Sequence, residues 1–226
     1  MHTATDGKKK WTSPNGTRIA TPEGFADSKR APKGIEVFPA SFLDQLETFE
    51  KEPQAILPKD AGQIVALTGL AHGWKVVEAG SGSGFLTCWL ARLVGEANLT
   101  SYELRPEFQK IAKANAEKVG LKKINFKLGD VFKLTETNLD LLFFDLPNPW
   151  DGVSAAKKAL KKGSYWVCYL PTVIQVQQWL EACQENFFEQ RVVQTLQLEW
   201  KTGKKTLRPE SSGIIHTAFL CVARKL

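Results

Sequence analysis

The sequence predicts an open, doubly wound α/β domain with a mostly parallel sheet, preceded by a small β-rich extension. Three observations predict it. From Ala55 onward, short apolar runs alternate with helical patterns, as a parallel sheet with crossover helices requires. A glycine-rich turn, Gly80-Ser81-Gly82-Ser83-Gly84, separates the first apolar run from a helix. Finally, Glu78, Glu103 and Asp130 fall at the carboxyl ends of successive runs, where open α/β sheets bind ligands. The chain has 226 residues, 43% of them hydrophobic, which suffices for one α/β core and a small appendage.

Residues 1–54 form the extension and a linker helix, and residues 55–226 the main domain. Up to about residue 40 the chain is rich in Lys, Gly, Pro, Thr and Ser, with turn signals at Ser13-Pro14-Asn15-Gly16 and Thr21-Pro22-Glu23-Gly24. Short strands or coil are expected there, without a large core. Residues 41–52 place Phe42, Leu43, Leu46 and Phe49 at helical spacing. Beyond them the sequence predicts a helix at 60–70 opened by an Asp60 cap, a buried strand at 75–79, a helix at 85–94 and a strand at 99–103. A helix at 105–119 opens on Pro106, and strands follow at 124–128 and 139–145. A helix at 152–160, a strand at 165–170 and a helix at 172–184 come next. Two β-prone runs, 190–200 and 213–223, close the chain; no helix separates them, so they are expected to pair antiparallel.

The formal charge of +6 makes a polyanionic partner plausible, though it is also common on ordinary basic surfaces. The charge gathers at the ends: residues 1–33 hold seven Lys or Arg against three acids, and residues 201–226 hold six against one. Lys204, Lys205 and Arg208 fit a phosphate-facing loop, whereas Lys157, Lys158, Lys161 and Lys162 read as a solvated helix face. Cys88, Cys168, Cys183 and Cys221 lie far apart, with no metal-ligand spacing, and read as buried free thiols. No signal peptide and no apolar run near ~20 residues is evident, so a cytoplasmic protein without a membrane span or a metal is expected.

The glycines at 80, 82 and 84 alternate, whereas the dinucleotide fingerprint G-x-G-x-x-G carries its third glycine one residue later. That spacing disfavours a nicotinamide oxidoreductase and points to a ligand without a pyrophosphate. Glu103 can accept both hydroxyls of a ribose, and Asp130 can accept the exocyclic amine of an adenine. The strand at 139–145 runs into Asp145-Leu146-Pro147-Asn148-Pro149-Trp150. Its prolines fix a non-helical loop, leaving Asp145, Asn148 and the Trp150 indole to define a pocket suited to a nucleobase, unless Trp150 only packs the next helix.

Taken together, residues 54–62 (Gln-Ala-Ile-Leu-Pro-Lys-Asp-Ala-Gly), Glu78 to Gly84, Asp145 to Trp150, Tyr169-Leu170-Pro171 and His216-Thr217-Ala218-Phe219-Leu220 resemble the TrmI family of tRNA (adenine-N1)-methyltransferases. The likeness runs from about Pro39 to the end. It implies a class I S-adenosylmethionine-dependent methyltransferase fold, Rossmann-like with an antiparallel last strand, a homotetramer, and methylation of adenine 58 of the tRNA T-loop, with position 57 also modified in archaeal members. Carried over by motif, Glu78 and Gly80 to Gly84 would serve the methionine end of the cofactor, Glu103 its ribose and Asp130 its adenine. Asp145 would sit between cofactor and target base as the catalytic residue, accepting the N6 amine's hydrogen. Leu57 stands at a substrate-contact position where the family often has Tyr or His, and the region before Pro39 is shorter than the usual N-terminal domain. His216 either contacts substrate or only orients a neighbour. A precorrin-type small-molecule methyltransferase and a noncatalytic tRNA-binding subunit are the alternatives; the Asp145 loop argues against the first and the intact glycine turn against the second.

Overall fold

The computed structural model describes residues 1–13, 18–50, 55–203, 206–211, 213 and 216–226. Pro14 to Gly16 of the first turn signal, together with Lys204 and Lys205, fall outside the described residues. The N-terminal part holds β1 (His2–Thr5), β2 (Lys10–Thr12), β3 (Ile19–Thr21), β4 (Gly24–Ala26) and β5 (Glu36–Pro39). β2, β1 and β5 form one antiparallel sheet, and β3 pairs with β4 as a separate hairpin. Ala4, Ile19, Ala26 and Ile35 form its small core. α1 (Phe42–Glu47) begins in a capping box in which Ser41 and Asp44 satisfy each other's backbone N–H groups. Lys10 of β2 reaches Asp44 at 2.5 Å and Glu47 at 2.9 Å, fastening the sheet to this helix. Leu46 and Phe49 belong to the core of the following domain, so α1 packs with that domain.

The main domain continues with α2 (Pro58–Thr68), β6 (Val76–Ala79), α3 (Phe85–Val94), β7 (Leu99–Glu103), α4 (Pro106–Lys118), β8 (Asn125–Leu128) and β9 (Leu139–Phe144). It ends with α5 (Val153–Ala159), β10 (Leu160–Leu170), α6 (Val173–Cys183), β11 (Phe187–Val193), β12 (Trp200–Gly203), β13 (Thr206–Pro209) and β14 (Phe219–Lys225). One seven-stranded sheet has the order β11-β14-β10-β9-β6-β7-β8, in which β14 runs antiparallel to both neighbours and the rest are parallel. The predicted doubly wound sheet with an antiparallel last strand is what forms. Strand order reverses between β6 and β9, which opens the crevice where such sheets bind ligands.

The apolar runs were continuous because both sheet faces are covered. On β9, Leu141 and Phe143 enter one core while Leu142 and Phe144 enter the other. Val76 and Val77 of β6, and Val222 and Cys221 of β14, divide in the same way, following the period of two that sends successive side chains to opposite faces. All four cysteines are buried and free.

Two local expectations are corrected. Asp60 does not cap its helix: the cap position is Leu57, with Pro58 in the first turn, and the Asp60 carboxylate is drawn into a buried network described below. The run 190–200 is not one strand, because its ladder with β14 stops at Val193 opposite Leu220 and residues 194–199 leave the sheet before β12. The antiparallel pairing itself holds, between β11 and β14, with a bulge between Phe188 and Arg191.

Candidate active site

The turn after β6 is nailed to the neighbouring strand. Gly80 and Ser81 donate their N–H groups to the Tyr102 carbonyl at 3.0 and 3.2 Å, and the Ser81 hydroxyl lies 2.6 Å from that of Ser101. From the other side, the Asn115 amide of α4 donates to the Ser83 carbonyl at 2.9 Å. Gly80 has φ of 90°, and a Cβ added there would stand 2.4 Å from the Asp145 carbonyl oxygen, so only glycine lets β6 and the β9 loop approach this closely.

Two adjoining clefts open at the switch point. The first, about 260 Å³, is lined by Ala55, Ile56, Gly80 to Ser83, Phe85, Leu86, Glu103, Arg105 and Asp145. The second, about 110 Å³, is walled by Leu104, Val131, Phe132, Leu146 and Pro147, with Asp130 and Asn148 at its polar edge. Gly80 and Glu103 line both. One cleft is thus polar and acidic, and the other a smaller, mostly apolar slot whose lining includes the Asp130 carboxylate.

The structure brings Gly80, Ser81, Gly82, Ser83, Glu103, Asp130, Asn148 and Asp145 to these clefts and leaves other expected residues out. Glu78 lies beneath the turn, accepting from Thr87 and Ser101 at 2.6 Å each, and lines neither cleft. Gly84 serves packing: a Cβ would meet the Ala112 backbone of α4 at 3.0 Å. Trp150 is half-buried and lines neither cleft, as is Leu57, whose preceding neighbours Ala55 and Ile56 do. Arg208 is exposed on β13 and donates to the Pro209 carbonyl. His216 is exposed outside any strand, with Nε2 2.8 Å from the Pro171 carbonyl and Nδ1 2.7 Å from the Gln194 amide. Sequence reasoning missed Ile56, Arg105 and Phe132. Only Arg105 had a signal, a cation two residues after the strand-end acid.

Glu103 spends part of its capacity on the fold, accepting backbone N–H groups of Gly82, Leu104 and Arg105 at 3.0 to 3.1 Å. Asp130 accepts from the Phe132 N–H at 2.8 Å. Asp145 differs: its N–H is tied to the Ala79 carbonyl at 2.9 Å, while its carboxylate takes no hydrogen bond from the described residues and faces the first cleft. Burial, with the Glu103 charge adding, pushes Asp145 up to about 6. Burial also raises Glu78 to about 7, against the hydrogen bonds from Ser101 and Thr87 and with the charges of Asp145 and Glu103 adding. Raised carboxylates favour the folded state while protonated. Their contribution is full below the ordinary values of 3.8 and 4.5 and is lost as pH rises through about 6 and 7. Above neutrality this site therefore concentrates buried negative charge and suits a cationic ligand.

Residues 46–224 match the model of a family described as the tRNA methyltransferase complex GCD14 subunit. The chain belongs to that family. A Methanocaldococcus jannaschii relative, the tRNA (adenine(57)-N(1)/adenine(58)-N(1))-methyltransferase TrmI, is 34% identical, with 96% of this chain and 92% of that protein covered. Among solved structures, the tRNA (m1A58) methyltransferase TrmI from Aquifex aeolicus superposes with a TM-score of 0.86 at 28% identity, covering 100% of this chain and 96% of that one. A SAM-dependent O-methyltransferase from Thermotoga maritima gives the same TM-score at 26% identity, covering 100% of this chain and 92% of that one. Among the described residues no cluster of His, Cys, Asp or Glu could hold a metal ion, and no helix is long and apolar enough to cross a membrane.

Proposed function

We propose that this chain transfers the methyl group of S-adenosylmethionine to N1 of adenine 58 in the T-loop of tRNA, with the adjacent adenine 57 as a second acceptor. The observation that carries the reading is Asp145, a half-buried carboxylate without a hydrogen-bond partner among the described residues, lining the acidic cleft of a tRNA methyltransferase family member. The residues fit the cofactor. The acidic cleft would take the sulfonium and the ammonium, the apolar slot with Asp130 would take the adenine, and Glu103, which lines both clefts, would take the ribose. When bound, S-adenosylmethionine supplies an electrophilic methyl group.

Asp145 then accepts a hydrogen from the N6 amine of the target adenine, which aligns N1 and stabilises the positive charge the base acquires. Asn148 lines the adjoining apolar slot and donates to Asp151. Because this face of adenine is paired or stacked in folded tRNA, the base must be extruded while basic groups hold the backbone. Arg208, together with Lys204 and Lys205 of the same stretch, serves as phosphate contacts, and residues 1–54 act as a second RNA-facing unit. Exposed Leu196, Leu198, Trp200 and Leu207 on and before the β12–β13 hairpin support self-association as a homotetramer. Four free thiols support a cytoplasmic setting.

The test is incubation with labelled S-adenosylmethionine and an unmodified tRNA transcript, followed by nucleoside analysis. Label in 1-methyladenosine that is lost when the T-loop adenines are replaced is the expected result; label on a ribose oxygen, as an O-methyltransferase would leave, refutes it. With the Asp145 value at about 6, kcat/KM is expected to rise with pH through about 6 and level above it, because the hydrogen-accepting form is the carboxylate. A flat profile from pH 5 to pH 8 would remove Asp145 from that role.

A further inference from the structure

The ladder between β11 and β14 ends at Val193 and Leu220, and residues 194–199 and 216–218 lie outside any strand. These are the two roots of the excursion that carries the β12–β13 hairpin. Both are held by a lysine from another element. Lys59, in the first turn of α2, has a side chain only 5% exposed and uses all three ammonium hydrogens: 2.7 Å to Asp60 Oδ1, 2.9 Å to the Thr195 carbonyl and 2.8 Å to Thr217 Oγ1. Asp60, 1% exposed, accepts in turn from the Thr217 hydroxyl at 2.8 Å and from the Tyr169 hydroxyl of β10 at 3.0 Å.

The side chains of Lys59, Asp60, Thr217 and Tyr169 satisfy one another, while the buried Thr195 hydroxyl beside them takes no partner among the described residues; a buried ion pair seldom stabilises a fold more than an apolar pair of the same volume, and its better-attested use is to fix register. What it registers here follows from its neighbours. α2 begins two residues after Ile56, which with Ala55 walls the acidic cleft. Tyr169 lies close enough to Asp145 to feel its charge. His216 adds an outer tie from Gln194 to the Pro171 carbonyl.

We propose that Lys59 and Asp60 are positioning residues, a clamp that holds both roots of the 194–218 excursion in fixed register with the cleft wall and so places the hairpin relative to the reacting centre. For tRNA as substrate this rests on the function proposed above. Thr217→Val removes the bridging hydroxyl at constant shape, Thr217→Ser keeps it, and Lys59→Met removes the hub. In Thr217→Val and Lys59→Met, amide exchange at 194–199 and 216–218 is expected to accelerate by about tenfold or more while the central sheet is unchanged. The KM for tRNA should rise by about tenfold, with cofactor affinity within about twofold, and Thr217→Ser should behave as the parent. Unchanged exchange and KM in Thr217→Val overturns the clamp even if Lys59→Met fails to fold. A lowered unfolding midpoint with parental KM overturns it too, since that is what mere stabilisation gives. If the parent chain does not methylate tRNA, the proposed function fails while exchange still decides the clamp.

Discussion

Asp145→Asn is expected to slow methyl transfer by about a hundred- to a thousandfold, the range found when one preorganised electrostatic group is removed from a reacting centre. The amide keeps the shape of the side chain but weakens the acceptor and removes the charge that balances the developing cation. Cofactor affinity should change by no more than a few fold, because Gly80 to Ser83, Glu103 and Asp130 remain. Folding should not suffer: the loop is held through the Asp145 N–H and the Ala79 carbonyl, which the substitution leaves alone. The half-buried carboxylate, raised to about 6, is an unfavourable charge at pH 8, so the variant should unfold at the parental temperature or above it. Single-turnover rates at saturating tRNA, calorimetric cofactor binding and thermal unfolding measure the three parts. A variant within tenfold of the parental rate would falsify the catalytic assignment.

Gly80→Ala is expected to destabilise the protein by about 2–4 kcal/mol and to weaken cofactor binding by about a hundredfold or more. Two penalties combine. At φ of 90° an alanine is strained by its own backbone, and its Cβ would lie 2.4 Å from a carbonyl oxygen of the Asp145 peptide, an atom that cannot swing aside as a side chain could. Either the turn or the Asp145 loop must move, and Gly80 lines both clefts. Gly73→Ala separates the penalties: its φ of 85° is similar, but nothing lies within 4 Å, so only the backbone cost of about 1 kcal/mol should appear. Denaturant unfolding and cofactor titration of both variants provide the comparison. Equal losses in the two would show that the close approach of β6 to the β9 loop has no energetic weight.

The sequence by itself determined those features that depend on local pattern. Continuous apolar runs such as 139–144 announce strands buried on both faces, and glycines at alternate positions announce a turn that must bend back toward its own sheet. The place of Asp145 at the cleft was legible because it ends an apolar run and prolines at 147 and 149 fix the loop that follows it. Tertiary structure decided what depends on residues distant in sequence. That Glu78 lies under the turn is set by Thr87 and Ser101, and that Gly84 serves packing is set by Ala112 on another helix. Asp60 reads as an N-cap in any local window; it is diverted because Tyr169 and Thr217, more than a hundred residues away, present hydroxyls to it within 3.0 Å. A local pattern records which face of an element meets the core, whereas the partner of a polar group is chosen by the sheet order, and that order is fixed only when the whole core closes.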